Sequence, residues 1–174
     1  ILIKNKLDSR KIQNSYFSSS EIDAKRELFL KFKNEHLKLT KVFPSQKSLY
    51  QISSSYDVYL CGSDQIWNPN YFKKCNYLDF VDMRKRKIAY APSIGTISLT
   101  QREKYRIKPL LNEIDYTSLR EKSGAELIGS LVDSPVSTVC DPVFLLTKNE
   151  WISSLGLEMK KKDRYILCYF LGEN

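Results

Sequence analysis

Histidine occurs once in this chain, as His36. That scarcity removes the commonest general acid–base from nearly the whole sequence. His36 falls at the end of a helical pattern, far in sequence from the polar loops described below, and is expected to be a surface residue. The cysteines Cys61, Cys75, Cys140 and Cys168 show no Cys-x-x-Cys spacing. This argues against a metal or dithiol redox site and for thiols buried as small hydrophobes. Such usage fits a reducing, cytoplasmic setting. No stretch approaches the roughly 18 consecutive apolar residues of a membrane-spanning helix. The first residues, Ile-Leu-Ile-Lys-Asn-Lys, lack the long apolar region of a signal peptide and an initiator methionine. The natural N-terminus is therefore expected to be missing. There is no internal repeat and no low-complexity segment.

What is present describes a globular chain with a core. Of its 174 residues, 42% are hydrophobic and 28% charged, a balance that disordered chains do not show. The length suffices for one domain. The formal net charge is +8, with runs at Arg84-Lys85-Arg86-Lys87 and Lys160-Lys161-Lys162. These read as solvated faces, or as attraction to an anionic ligand, glycan or membrane surface. No nucleic-acid-binding motif accompanies the charge, so no nucleic acid is expected as a partner.

Residues 1–20 are polar and serine-rich and read as a lead-in; a single domain is expected over 21–174. Ser20, with Asp23 three residues on, predicts a capped helix to about Glu35, with Ala24, Leu28 and Phe32 on one stripe. Residues 37–43 suggest a short strand and 45–52 one or two helical turns. From residue 57 the pattern becomes regular. Strands are predicted at 57–61, 77–80, 87–91, 116–119, 136–140 and 165–171. Capping boxes at Thr100/Glu103, Ser118/Glu121 and Thr147/Glu150 open helices, the first carrying Pro109, which should kink or shorten it. Strands alternating with capped helices predict an α/β fold, a Rossmann-like parallel sheet flanked by helices. A strand so near Asn174 suggests that the polypeptide continues.

The densest chemistry follows the strand Val58 to Cys61. The block Gly62-Ser63-Asp64-Gln65-Ile66-Trp67-Asn68 resembles the hallmark of the polysaccharide pyruvyl transferase family. In order and spacing so do Ile88-Ala89-Tyr90-Ala91-Pro92-Ser93-Ile94-Gly95, then Ser118-Leu119-Arg120-Glu121, then Asp141-Pro142-Val143-Phe144-Leu145-Leu146. Trp151 and the stretch from Tyr165 to Gly172 also match. The resemblance covers roughly residues 20–174. The family's usual first strand with an Asn-Tyr-Gly-type loop is not visible, nor is its second α/β domain. The chain thus resembles the central part of the N-terminal half of a glycosyltransferase-B-like two-domain enzyme.

The resemblance implies transfer of a pyruvyl group from phosphoenolpyruvate to two sugar hydroxyls, as a cyclic ketal, on a cell-surface or exopolysaccharide glycan. A donor with a phosphate and a carboxylate requires cations or helix N-termini. Protonating its methylene carbon requires a general acid. Gly62 permits close backbone approach. Ser63, Gln65 and Asn68 suit sugar hydroxyls. Asp64 reads as part of the same loop or as a helix cap, and Trp67 as a sugar-stacking platform or a core filler. Ser93 and Gly95 are expected at the same cleft or in a plain turn. Arg120, at a helix start, suits a phosphate or carboxylate, or pairs structurally with Glu121 or Asp141. Asp141 could orient Arg120 or a substrate hydroxyl. No catalytic acid is identified, and it is expected in the absent domain, leaving this chain inactive alone. Phosphoenolpyruvate is expected as donor substrate, with no cofactor and no metal. A glycan or lipid-linked sugar is the expected acceptor, with peripheral association at the inner face of the membrane. A nucleotide-sugar glycosyltransferase of the same architecture and a non-catalytic glycan-binding module are the alternatives.

Overall fold

Four short strands carry the architecture: β1 (Val58–Cys61), β2 (Arg86–Ala89), β3 (Tyr116–Leu119) and β4 (Val136–Thr138). In the computed structural model, which describes residues 19–157 and 166, they form one all-parallel sheet in the order β1-β2-β3-β4. The expected α/β class is therefore observed. The chain divides into two compact units, residues 1–55 and 56–174, and the sheet lies in the second.

In the first unit, α1 (Ser19–His36) is followed by a 3-10 helix, Lys47–Ile52. Ser20 lies inside α1 rather than capping it. His36 ends the helix with its ring 4.8 Å from that of Phe32. Residues 37–43 form no strand. Their alternating pattern has no ladder partner among the described residues of this unit, and a strand without one leaves its backbone groups unpaired.

In the second unit, β2 connects to β3 through α2 (Gln101–Leu111), β3 to β4 through α3 (Lys122–Gly129), and α4 (Lys148–Ser154) follows β4. The boxes expected at Thr100/Glu103 and Thr147/Glu150 are both formed, each threonine accepting from the glutamate's N–H while the glutamate carboxylate accepts in return. Pro109 does not stop α2, which runs on to Leu111 with Asn112 as its C-cap. So near the end, the missing N–H removes one of the last intrahelical bonds.

Two local readings are corrected. Residues 77–80 are not a strand: a 3-10 helix spans Lys74–Tyr77 and Leu78 takes a left-handed conformation at φ +58°. Tyr77, Leu78, Phe80 and Val81 are all buried, so they read as an apolar run without being a pleat. Ser118 and Glu121 form no capping box. Ser118 belongs to β3, where its hydroxyl donates to the Ala89 carbonyl at 3.0 Å. The N-cap of α3 is Glu121, without a side-chain cap. The strand expected at 165–171 lies outside the described residues apart from Ile166, which is exposed.

The two faces of the sheet differ. Tyr59, Cys61, Lys87, Ala89, Thr117 and Leu119 point to the buried face, while Val58, Leu60 and Tyr116 on the other remain exposed. Burial pushes the Cys61 thiol up to about 12, as expected of an inert core cysteine. Cys75 is also buried, whereas Cys140 is exposed.

Lys87 alone departs from the solvated face expected of the basic run, in which Arg84 and Arg86 are exposed. It is 2% exposed, its ammonium 2.8 Å from a Glu113 carboxylate oxygen. Arg84 pairs with Asp82 at 2.8 Å and Lys85 with Asp57 at 3.1 Å. Glu113→Ala should destabilise the protein by about 2 kcal/mol, because it strips a buried ammonium of a charged partner; urea unfolding at pH 7 checks this.

Candidate functional site

Parallel strands end at one edge, so the segments after β1, β2, β3 and β4 leave the sheet side by side. These are the Gly62–Asn68 loop, the Tyr90–Gly95 turn, the Arg120–Glu121 junction and the Val139–Asp141 exit. Every residue singled out in the sequence as a binding candidate lies on one of them. Crevices outside the carboxyl ends of strands are where open α/β sheets bind ligands.

The loops are stitched through their backbones. Tyr90 N–H donates to the Cys61 carbonyl at 2.9 Å, Ser93 N–H to Asp64 at 2.7 Å, and Trp67 N–H to Ser93 at 3.3 Å. Gly62 sits at φ +128°, and a Cβ there would collide with the Tyr90 carbonyl oxygen, so glycine is required for the two loops to touch. Gly95, at φ +62°, lies where a Cβ would stand 2.6 Å from Asn68 Nδ2 and 2.8 Å from Gln65 Oε1. Its role is to let the second loop close on the first.

Several candidates prove to be internal supports. Trp67 is 1% exposed, its indole stacked on Tyr77 at 5.2 Å and its Nε1 donating to the Asn76 carbonyl at 3.0 Å. It has no face left for a sugar, and the core-filling alternative is the one observed. Asn68 is 7% exposed. It donates to Gln65 Oε1 at 3.0 Å and accepts from Asn70 N–H at 3.0 Å, fixing the end of the loop. Ser93 is 4% exposed and its hydroxyl proton goes to Glu121 Oε1 at 2.8 Å. Each of these three side chains is buried and engaged inside the protein.

The groups that face solvent are Ser63, Asp64, Gln65, Arg120 and Asp141. Asp64 occupies a left-handed conformation at φ +62°, unlike the extended backbone of a helix N-cap, and its carboxylate is exposed. Arg120 is held between two acids. Nη1 is 2.8 Å from Asp141 Oδ2, and Nη2 is 3.9 Å from Asp64 Oδ1. Asp141 also accepts from Val143 N–H at 3.1 Å, capping the short Pro142–Leu145 helix. Hydrogen bonding from Arg120 and from that N–H holds the Asp141 carboxyl below its ordinary range, and the Asp141 bond raises Arg120 in turn. The Asp64 contact is long and its side chain is 85% exposed, so one edge of the guanidinium is only loosely engaged.

Two residues here escaped the sequence reading. Glu121 reaches back to the turn, accepting from Ser93 Oγ at 2.8 Å and from Ile94 N–H at 2.9 Å. Its Ser-x-x-Glu spacing read as a capping box, a signal that also fits a strand end. Tyr90 places a phenol beside Cys140 and Asp141; burial first, then those neighbours, pushes it above its ordinary value and keeps it protonated. A tyrosine after a strand carries no distinguishing sequence signal. Among the described residues no cluster of three or more His, Cys, Asp or Glu is placed to hold a metal.

The ordered motifs of these four strand ends match a family model. The polysaccharide pyruvyl transferase model covers residues 3–173. The chain belongs to the polysaccharide pyruvyl transferase family. Membership marks it as a transferase whose chemistry concerns polysaccharide. No curated protein and no solved structure matches the chain.

The Arg120–Asp141 pair has a signed pH dependence. A carboxyl depressed in the folded state stabilises above its unfolded value, near 3.9 for aspartate, and loses that contribution as pH falls through the lower folded value. Asp141→Asn should therefore lower the melting temperature at pH 7. The gap to wild type should narrow below about pH 4, as thermal melts across pH would show.

Proposed function

We propose that this family member transfers the pyruvyl group of phosphoenolpyruvate to hydroxyls of a cell-surface or exopolysaccharide glycan, forming a ketal. The observation that carries the reading is Arg120, a guanidinium at the start of α3 and at the carboxyl ends of the strands, with one edge tight on Asp141 and the other loosely opposed by Asp64. A phosphate or carboxylate can replace a contact of 3.9 Å without breaking the short pair that aims the guanidinium. Family membership supplies the reaction class.

The chemistry assigns work to the neighbouring groups. One sugar hydroxyl adds to C2 of the donor as the methylene carbon gains a proton, and a second hydroxyl displaces phosphate. Arg120 binds a donor anion. Ser63, Asp64 and Gln65, exposed or half-buried on the first loop, accept and donate to sugar hydroxyls, and Asp141 orients Arg120. On this reading the proton on carbon comes from a group outside this set, and these strand ends do not suffice for turnover. A lipid-linked glycan acceptor, cytoplasmic location and association with the inner membrane face complete the proposal, with no cofactor. No helix among the described residues is long and apolar enough to cross a membrane.

The test uses the full-length protein, phosphoenolpyruvate and a panel of glycan acceptors, with release of inorganic phosphate as the readout. Arg120→Ala should raise the KM for phosphoenolpyruvate by about 10- to 100-fold, the loss of one charged hydrogen-bonding group. Arg120→Lys should recover little, because a point charge does not reproduce the guanidinium fork. Wild-type protein that released no phosphate from phosphoenolpyruvate with any acceptor would overturn the reading. Binding of a nucleoside diphosphate instead would favour a nucleotide-sugar enzyme. Glycan affinity without either donor would favour a binding module.

A further inference from the structure

We propose that Glu121 is a positioning residue for the donor-anion site, acting through the Ser93–Gly95 turn and its own neighbour Arg120. The inference rests on the reading of Arg120 given above and adds a residue to it.

The geometry is specific. α3 begins directly after β3, and its N-cap residue, Glu121, makes no side-chain bond to its own helix. The carboxylate instead leaves the helix and receives two hydrogen bonds on one oxygen, from Ser93 Oγ at 2.8 Å and Ile94 N–H at 2.9 Å. The preceding residue anchors to the same turn, Arg120 N–H donating to the Pro92 carbonyl at 3.3 Å. The turn is in turn fastened to the first loop by Ser93 N–H to Asp64 at 2.7 Å. Asp64 is one of the two acids that flank the Arg120 guanidinium. A closed circuit results: Arg120, Glu121, Ser93, Asp64 and back to Arg120. Glu121 is the side chain that closes it between α3 and the turn.

Room for this arrangement comes from Gly124. A Cβ at that position would lie 3.1 Å from Glu121 Oε1, 3.2 Å from its Cγ and 3.0 Å from Leu119 Cδ2. The first turn of α3 is thus bare where the carboxylate folds back. A helix-interior glycine costs helix stability relative to alanine. Here it leaves Glu121 free to face the turn.

Without the carboxylate, the Ile94 N–H and the Ser93 hydroxyl lose their partner, the turn keeps only the Arg120 N–H bond to Pro92 across to the start of α3, and the spacing of Asp64 and Arg120 is held less firmly. The guanidinium stays on Asp141, but its open edge no longer meets the donor at a fixed angle. Displacements of about 1 Å at a supporting residue can cost up to about 100-fold in rate.

The experiment measures phosphoenolpyruvate affinity by calorimetry, and kcat and KM by phosphate release, on the full-length protein, with the folded fraction fixed by thermal melts. Glu121→Ala should weaken phosphoenolpyruvate binding by about tenfold or more while the folded protein persists. Glu121→Gln keeps an amide oxygen able to accept both bonds and should bind within about twofold of wild type. Gly124→Ala retains the carboxylate but crowds it. It should weaken donor binding in the fraction that thermal melts show to be folded, the gain in helix propensity being opposed by crowding of buried Leu119. Folded Glu121→Ala protein with unchanged affinity and unchanged KM would overturn the proposal and leave the Arg120 reading standing. So would Gln and Ala variants equally impaired, because charge rather than the acceptor position would then matter. Wild-type protein that does not bind phosphoenolpyruvate would overturn both.

Discussion

Ser93 is the point on which the rest of this site depends. Its N–H donates to the Asp64 carbonyl, its own carbonyl accepts from Trp67 N–H, and its hydroxyl donates to Glu121. Its two backbone groups therefore tie the first loop and its hydroxyl ties the start of α3, and the residue is almost wholly buried. A buried polar group must be paired, and here the pairing is spread over the ends of three strands. The turn that Ser93 belongs to cannot shift without disturbing the loop before it and the helix after it.

The surrounding apolar packing serves the same end. Trp67 lies flat on Tyr77, with Asn76 holding the indole nitrogen through its carbonyl and the Ile66 carbonyl through its amide. The polar loop after β1 is thus bolted at its far end to a segment of core. What remains exposed is a short arc of Ser63, Asp64 and Gln65, facing a guanidinium already aimed by Asp141. Preorganisation of this kind lets a site act on a ligand without first ordering itself.

Much of this was legible in the sequence, and for definite reasons. Strands at 116–119 and around 58–61 and 86–89 show as short runs carrying β-branched or aromatic residues that end in polar punctuation. The two threonine boxes are local devices whose partners lie three residues apart, so no distant contact is needed to form them. The parallel sheet follows from strands alternating with helices. The misreadings share a different cause. Residues 77–80 are apolar because Tyr77, Leu78 and Phe80 pack into the core, and burial alone does not say which backbone buries them. Residues 37–43 alternate as a strand would, yet alternation makes no strand without a neighbour to bond. Ser118 and Glu121 have the spacing of a cap, but Ser118 spends its hydroxyl on the adjacent strand.

The amino-acid order alone established the class of fold, the four polar strand ends and the family that their motifs mark. These rest on interactions between residues near in the chain, or on patterns that do not depend on geometry. Which polar groups face a ligand was settled only by folding. Trp67, Asn68, Ser93 and Asp64 stand within one short reach of polar loop or turn and look equally available as letters. Their fates diverge because each meets a different neighbour: Gln65 engages Asn68 within the same loop, Tyr77 covers Trp67 from the segment that follows, and Glu121 engages Ser93 from roughly one βαβ unit away, while Asp64 is left in solvent. Hydrogen-bonding capacity is a property of a residue, but whether that capacity is already used is a property of the neighbours that only the tertiary contacts bring.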